Sequence, residues 1–511
     1  MLGVLLLQTA WAQGPSTYAE ALADVQQGRF HEAIPILEKL LAVGPRDLKA
    51  RNLLGIALMN AGRKEEANAQ FQEALVIDQK FVPALKNLAV NEMELGQLVE
   101  ARKHFERFLV FSPKDPVAHL YLGELEFGQK RYREAAAHYE QSGGMHLKDP
   151  QVLLHFAQSQ VETRNFDAAA RAIEQIPAGA RSTIHFQAGV LLSRAEKYSQ
   201  AAQQFQAAQS EAADPYLTGF NVVLTSLKAG EREAAIETGE ALVAKGYRKA
   251  ELYNLLAGAY NEAGQTQRAY DALRTATEID PADENNYLDL VTIALGHNNL
   301  ELGFEIAGIG LSHVPQSYRL RLQRGAVFAM TGRLSDAEGE FRAATRSAPD
   351  ANIAYVALAM AQMQSGKVSD AVDGLRARRS QAPENFLINR YLGEALSREG
   401  VTPGTDTEKE AFEALQHAIR ANPQSASAHM LLGKLFFARG DFDHAAQEFE
   451  EALKLQPADA SPAYQLALVY RKRGNTAKAD ELFDLFSKAK KEDPNQTAAR
   501  DLLKAIQQGS R

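Results

Sequence analysis

Apolar residues recur along the chain with the spacing of amphipathic helices, in segments separated by single glycines. One apolar stripe in residues 252–262 consists of Leu252, Leu255, Leu256, Ala259 and Tyr260. After Gly264, a second stripe consists of Ala269, Leu273, Ala276 and Ile279. Residues three and four apart lie on the same face of an α-helix. The pattern therefore predicts two helices joined by a short turn at the glycine.

This helical pair recurs with a period of 34 residues over much of the chain. The turn glycines are Gly28, Gly62, Gly96, Gly230, Gly264, Gly332, Gly366, Gly400, Gly440 and Gly474. Glycine can adopt the left-handed conformation that ends the first helix, and a proline ends the second helix in many units. One isolated pair cannot bury both of its apolar stripes. We therefore expect about 14 units that stack on one another.

Several positions keep the same phase from unit to unit. A leucine followed by a small residue recurs in the first helix at Leu54–Gly55, Leu88–Ala89, Leu392–Gly393 and Leu432–Gly433. An aromatic residue ends this pattern at Tyr260 and Tyr470, and the second helix repeats an alanine, aromatic, alanine pattern at Ala67, Phe71, Ala74 and at Ala445, Phe449, Ala452. These positions resemble the tetratricopeptide repeat family over residues 17–494. The chain departs from the family pattern in two ways: its first helices lack the family's tryptophan, and four residues replace the turn glycine, namely Lys130, Arg164, Glu196 and Asn298.

The resemblance implies an all-α fold, an α-solenoid that coils as a right-handed superhelix of about 14 helix-turn-helix units. It also implies a non-enzymatic scaffold that binds segments of partner proteins in a concave groove lined by the first helices. We expect units 1–4 in residues 17–147, degenerate units 5–7 in residues 148–247, and units 8–14 in residues 248–494.

Two irregular spacings and the C-terminal residues refine this division. Gly96 and Gly230 are 134 residues apart, two fewer than four periods, which predicts a joint near residues 177–182. Gly400 and Gly440 are 40 residues apart, which predicts an insertion at residues 401–406. Residues 495–508 predict a C-terminal capping helix, because Asn495 can cap a helix with one apolar stripe.

The first 12 residues predict a signal peptide, because an apolar run ends in the small-x-small sequence Ala10–Trp11–Ala12. This interpretation places the protein in the periplasm or outside the cell. The alternative is a cytoplasmic protein in which the run is simply the start of the first helix. The run is too short to cross a bilayer as a helix.

Composition and motifs exclude several classes of function. The chain has 56 basic and 64 acidic residues, with a net charge of -8, so we expect no nucleic-acid partner. It has no cysteine, and its 12 histidines show no metal-binding spacing. Phosphate-binding and nucleophile motifs are also absent from the sequence. We therefore expect no catalytic residue, cofactor or metal.

Two sets of residues fall on positions that line the groove in the family. The first set is methionines: Met59, Met93, Met330, Met360, Met363 and Met430. They either contact an apolar partner segment or fill gaps between successive first helices. The second set is basic: Arg390, Arg398, Lys434, Arg471 and Lys472. These side chains either bind an acidic partner or balance Glu394 and Glu399.

An alternative function keeps the fold and changes the partner. The chain would then be a periplasmic accessory of cell-envelope or exopolysaccharide assembly that engages a glycan or an outer-membrane partner. Sugar binding favours an aromatic lining, and the groove positions hold few aromatic residues, mainly Phe127, Phe186, Phe220 and Phe437. We therefore prefer a protein partner.

Overall fold

The computed structural model describes residues 17–488. These residues form 28 α-helices and two short 3-10 helices, and no β-strand occurs among them. The prediction of an all-α chain of helical hairpins is confirmed. The chain divides after Tyr247 into two compact units.

The helices follow one another as 14 hairpins, each made of an odd-numbered first helix and an even-numbered second helix. The helices before residue 248 are α1 (Tyr18–Gln26), α2 (Phe30–Val43), α3 (Leu48–Asn60), α4 (Lys64–Ile77), α5 (Val82–Glu94), α6 (Leu98–Phe111), α7 (Pro116–Gly128), α8 (Tyr132–Gln141), α9 (Pro150–Glu162), α10 (Phe166–Ile173), α11 (Ser182–Arg194), α12 (Tyr198–Ala208), α13 (Pro215–Lys228) and α14 (Arg232–Ala244). Those after it are α15 (Ala250–Glu262), α16 (Thr266–Ile279), α17 (Glu284–Gly296), α18 (Leu300–His313), α19 (Tyr318–Met330), α20 (Leu334–Ser347), α21 (Asn352–Gln364), α22 (Val368–Gln381), α23 (Phe386–Gly400), α24 (Asp406–Ala421), α25 (Ala426–Arg439), α26 (Phe442–Leu455), α27 (Ser461–Lys472) and α28 (Thr476–Lys488).

Each hairpin turns at one residue with a left-handed backbone, except the one between α23 and α24, where Gly400 and Gly404 both have a positive φ. At Gly62, φ is +82°. The Gly62 N–H donates to the Met59 carbonyl at 3.1 Å, and the Arg63 N–H donates to the Leu58 carbonyl at 2.9 Å. These bonds satisfy carbonyls that the end of the helix leaves free. The non-glycine turn residues adopt the same conformation, with φ of 59° at Lys130, 61° at Arg164, 57° at Glu196 and 57° at Asn298.

In several hairpins the two helices cross where a glycine of the first helix faces an aromatic ring of the second. A Cβ atom added to Gly55 would lie 2.4 Å from the ring of Phe71, and one added to Gly433 would lie 2.6 Å from the ring of Phe449. Both rings are fully buried. The helices therefore approach too closely for a side chain at these two glycines.

Successive hairpins stack within each compact unit. In residues 17–247, α3 contacts α1, α2, α4 and α5. In residues 248–488, α21 contacts α19, α20, α22 and α23 in the same way. First helices thus contact the neighbouring first helices and form one layer, and the second helices pack against them as another layer. The apolar core lies between the two layers.

A polar side chain near the start of several first helices ties the hairpin to the turn before it. Arg51 donates to the Pro45 carbonyl at 2.6 Å and to the Gln70 side chain at 3.0 Å. His429 makes the equivalent contacts with the Pro423 carbonyl at 3.2 Å and with Glu448 at 2.7 Å. The side chains that bond the carbonyl of the proline six residues earlier are Arg51, His119, Arg321, Asn389 and His429. They fasten successive hairpins together, and they differ too much in type to be found by residue identity.

Two connections differ from the regular hairpin. Helix α10 has only eight residues, and Ile176 in the connection that follows is buried. Residues 401–405 form a longer turn between α23 and α24, in which the Gly404 N–H donates to the Glu408 carboxylate at 2.8 Å. The joint near residues 177–182 stays a prediction. The signal peptide in residues 1–12 and the capping helix in residues 495–508 lie outside the described residues.

Candidate functional site

Five basic side chains lie on the first helices of the last three described hairpins, and all of them except the partly buried Arg390 are exposed. The helices are α23, α25 and α27, and we call the set the basic face: Arg390, Arg398, Lys434, Arg471 and Lys472. Arg390 lies in the first half of α23, and the other four residues lie in the second half of their helices. The fold thus places these cations on adjacent first helices of one layer.

Arg390 is the most firmly held member of the basic face. Its Nε donates to the Ser427 hydroxyl at 2.9 Å, which links α23 to α25. Its guanidinium lies over the ring of Tyr391, 4.0 Å from the centroid. Its other contact is Glu394, at 3.5 Å. Packing and hydrogen bonds therefore fix the planar group in one orientation.

Glu394 is the carboxylate shared by the two arginines of α23. Arg398 donates to one carboxylate oxygen of Glu394 at 2.8 Å, and Arg390 contacts the other. Glu399 accepts a hydrogen bond from Ser369 instead, at 2.6 Å. One carboxylate therefore faces two guanidinium groups on α23, and Glu399 is bonded to a neutral hydroxyl instead of either arginine.

The remaining cations face solvent. Lys434, Arg471 and Lys472 are exposed, and within residues 17–488 none of the three forms an ion pair. The Arg471 guanidinium lies 5.4 Å from the centroid of the Phe483 ring. Tyr464, on the preceding turns of α27, exposes 38% of its surface. The face therefore combines free positive charge with accessible aromatic surface.

An ion pair fixes the far end of α25. Arg439 donates to Glu408 at 2.9 Å, and its guanidinium lies over the Phe412 ring, 4.2 Å from the centroid. The hydrogen bond from Arg439, together with the one from the Gly404 N–H, lowers the pKa of Glu408. This pair holds α25 against α24, so it positions the helix that carries Lys434.

The structure separates the six methionines into buried and partly buried members. Met360 and Met363 each expose 7% of their surface and belong to the core around α21. Met59 and Met93 pack against the core of the first hairpins, and Met430 packs against that of the last hairpins. Met330 is partly buried. The burial of Met360 and Met363 favours their role in packing, and partner binding by the set stays a prediction.

Sequence reasoning missed the apolar exposure on α11 and α13. Val190 and Leu217 are exposed there, beside the partly buried Phe186 and Phe220. The signal was present, because two apolar residues occupy the exposed side of consecutive first helices. The hydroxyl of Ser427 was also missed, since its bond to Arg390 joins residues 37 positions apart.

The described residues contain neither a metal-binding group nor a membrane-spanning helix. No cluster of three or more His, Asp or Glu side chains within residues 17–488 could hold a metal ion. No helix in that range has the length and apolar character needed to cross a bilayer.

Solved structures of helical repeat proteins resemble this chain. Yeast Tom70 is 17% identical, with a TM-score of 0.39, over 84% of this chain and 97% of that one. The Cut9 and Hcn1 heterotetramer of the APC/C gives 16% identity and a TM-score of 0.37, over 95% of each chain. A thermophilic TPR protein of Thermus thermophilus gives 22% identity and a TM-score of 0.31, over 37% of this chain and 99% of that one. These similarities carry no information about a partner. The comparison with curated proteins finds no match.

Family models identify the repeats directly. One tetratricopeptide repeat model matches residues 18–80, 86–142, 322–385, 409–463 and 434–497. A second tetratricopeptide repeat model matches residues 250–283. Together these matches cover more than half of the chain and include many of the hairpins described above. The chain belongs to the tetratricopeptide repeat family.

Proposed function

We propose that this protein is a non-enzymatic scaffold that binds an acidic segment of a partner protein on the basic face. The observation that carries the proposal is the exposure of Lys434, Arg471 and Lys472 without an ion pair in residues 17–488. Several other arginines in α19 to α26 are paired with carboxylates, as Arg324 is with Glu340 and Arg376 with Glu410. Unpaired cations on one face favour an anionic partner.

The arrangement of Arg390 supports recognition of a carboxylate. Its guanidinium is held by Ser427 and Tyr391 before any partner arrives, so little side-chain entropy is lost on binding. A guanidinium also presents several N–H groups in a plane that matches a carboxylate. An aspartate or glutamate side chain of the partner would therefore compete with Glu394 for these donors.

Apolar side chains between the cations indicate that the partner segment needs apolar residues as well as acidic ones. Tyr464 is exposed, and Met430, Phe437 and Leu468 are partly buried on the same helices. A partner segment with large apolar residues between its acidic residues would bury this surface as well as pair the charges. The proposal does not depend on Met360 or Met363.

Peptide binding to the full chain tests the proposal. We would measure fluorescence anisotropy of a labelled peptide that alternates glutamate with phenylalanine, and of the same peptide with lysine in place of glutamate. We expect the acidic peptide to bind, and Lys434→Glu with Arg471→Glu to weaken binding by at least about tenfold, since two favourable charge contacts become repulsive.

A double variant elsewhere controls for net charge. Arg346 and Arg420 are exposed at the ends of second helices and form no ion pair within the described residues. Arg346→Glu with Arg420→Glu changes the net charge equally and should leave affinity within about twofold. Equal losses in the two double variants, or equal binding of the acidic and basic peptides, would overturn the proposal.

The alternative sugar-binding function and the proposed export each have a separate test. A glycan array with the same variants separates the alternative sugar-binding function, in which charge reversal would have little effect. Export is part of our proposal, and N-terminal sequencing of protein from its native cell tests it. Mature protein that begins after Ala12 would lack Trp11, the single tryptophan; retention of Trp11 would contradict cleavage at that point.

A further inference from the structure

One position of the repeat holds a basic residue in four consecutive hairpins. The position follows the second helix, and the residues, spaced 34 apart, are Arg46, Lys80, Lys114 and Lys148. All four side chains are exposed, and none forms an ion pair within residues 17–488. At the corresponding position the later hairpins have Ala282, Gln316, Asp350 and Glu384, and also Arg248, which pairs with Glu278 at 3.5 Å. The run of unpaired basic residues in consecutive hairpins is therefore confined to the first four hairpins.

Exposed apolar side chains accompany these cations. Val43, Val76 and Val110, at the ends of α2, α4 and α6, expose 90%, 78% and 73% of their surface. Phe111, next to Val110 in sequence, and Leu147, next to Lys148, are also exposed. From α16 onward, the repeat position of Val76 and Val110 holds charged or polar residues, for example Glu278 and Arg346. Exposed apolar surface therefore coincides with free positive charge in the first four hairpins.

Stacking places these residues along one edge of the structure. Each lies at the end of a second helix or in the connection to the next first helix, and the hairpins of residues 17–247 pack in sequence order. We call the set the edge row: Val43, Arg46, Val76, Lys80, Val110, Phe111, Lys114, Leu147 and Lys148. The same side of four adjacent hairpins thus carries alternating apolar and basic groups.

Neighbouring aspartates do not neutralise the edge row by pairing with it. Asp47 accepts hydrogen bonds from the Lys49 and Ala50 N–H groups, and Asp149 accepts one from the Gln151 N–H. Asp115 caps α7 and pairs with Lys86 at 2.7 Å. These carboxylates satisfy helix N-termini, where negative charge is favourable. The cations of the edge row remain available.

We propose that the edge row docks on an anionic lipid surface. Its apolar side chains are separated from hairpin to hairpin, whereas the centre of a protein interface is contiguous and closely packed. A lipid interface can enclose separate apolar side chains individually, and its anionic headgroups complement the four unpaired cations. The charge and the discontinuity of the row together favour a lipid surface over a protein partner.

Vesicle co-sedimentation of the full chain tests this inference. The vesicles contain phosphatidylcholine alone or phosphatidylcholine mixed with phosphatidylglycerol. We expect binding to the mixed vesicles only, weakened by added salt. The variant Arg46→Glu, Lys80→Glu, Lys114→Glu, Lys148→Glu should lose at least about 100-fold in partition coefficient, since each basic residue contributes roughly fivefold near an anionic surface.

Two further variants make the test specific. Val76→Ser, Val110→Ser and Phe111→Ser remove apolar surface without changing charge, and we expect weaker binding to the mixed vesicles. The matched control reverses four other exposed cations with no ion pair among the described residues, Arg171, Lys245, Arg346 and Arg420. The control should bind within about fivefold of the wild type, since only distant charge has changed.

Any one of three results would overturn the inference. These are failure of the wild type to bind mixed vesicles, equal loss in the control variant, or an unchanged partition coefficient in the edge-row variant whose far-UV circular dichroism matches the wild type. Loss of a protein partner by the edge-row variant, without vesicle binding by the wild type, would instead assign the row to a protein interface. The variants of the basic face should retain vesicle binding, so this test is independent of the proposed function.

Discussion

Unpaired cations occupy one part of the hairpin in the edge row and a different part in the basic face. In the first four hairpins the cations follow the second helix, as at Lys80. In the last three they lie on the first helix, as at Lys434. The buried positions are the same in both regions, since Phe71 and Phe449 occupy equivalent places beside a glycine. The fold therefore restricts the core positions and leaves the exposed positions free to differ between regions.

The shared core gives the largest expected effect. Phe71→Ala and Phe449→Ala each remove a fully buried ring, and each should cost about 3–5 kcal/mol of the free energy of unfolding of its own region. Urea denaturation followed by far-UV circular dichroism would measure both variants. Very different costs, or a cost below about 1 kcal/mol for either, would contradict an equivalent core.

Acid sensitivity should distinguish the two regions, with a smaller effect. Burial lowers the pKa of His138 in α8, and the neighbouring His119 and Arg102 lower it further. The Nδ1 atoms of His138 and His119 are 3.0 Å apart. Because the unfolded chain binds the proton more readily, the stability from neutral His138 is present above pH of about 6.5 and is lost as pH falls through its folded pKa.

In the last hairpins the titratable group is Glu408, and its effect on stability occurs at lower pH. Arg439 and the Gly404 N–H lower the pKa of Glu408, so its contribution is present above pH of about 4.3 and is lost as pH falls through the folded pKa. Urea denaturation between neutral and acid pH would compare the wild type with His138→Gln and Glu408→Gln. We expect the first variant to reduce the pH dependence near neutrality and the second only in the acid range; identical pH profiles would contradict this.

Much of the fold follows from the sequence because its signals are local. A turn glycine, a following alanine and a closing proline act within one hairpin, so their spacing is sufficient to predict helix pairs. The same phase identified Lys130 and Asn298 as turn residues, and their positive φ confirms this.

Those turn residues give the smallest of the expected effects. Replacing Lys130, Arg164 or Glu196 with glycine should stabilise the protein by about 0.5–1 kcal/mol each, because a side chain raises the energy of the left-handed conformation. Asn298→Gly should gain less, since asparagine tolerates this conformation. Thermal denaturation would rank the four variants. Destabilisation by Lys130→Gly would contradict the ranking, as would a larger gain at Asn298.

The candidate sites were less accessible to sequence reasoning. Met360 and Met363 fall on groove positions by counting, yet neighbouring helices bury them. The side chains that surround a position come from hairpins about one repeat away in the chain, and their sizes decide whether it is exposed. Pairing of charges has the same origin, since Arg390 bonds Ser427 on the next first helix. The edge row was not predicted from the sequence, because the sequence alone does not show that its apolar residues are exposed and not part of the core.

The four non-glycine turns also make this protein suitable for site-specific labelling. Each turn residue already has an exposed side chain in the left-handed conformation, as at Arg164 and Asn298. The chain has no native cysteine, so thiols introduced at both positions would be the only two thiols in the protein. Fluorophores at residues 164 and 298 would lie on opposite sides of the division after Tyr247. Energy transfer between them would measure the distance between the two labelled positions in solution.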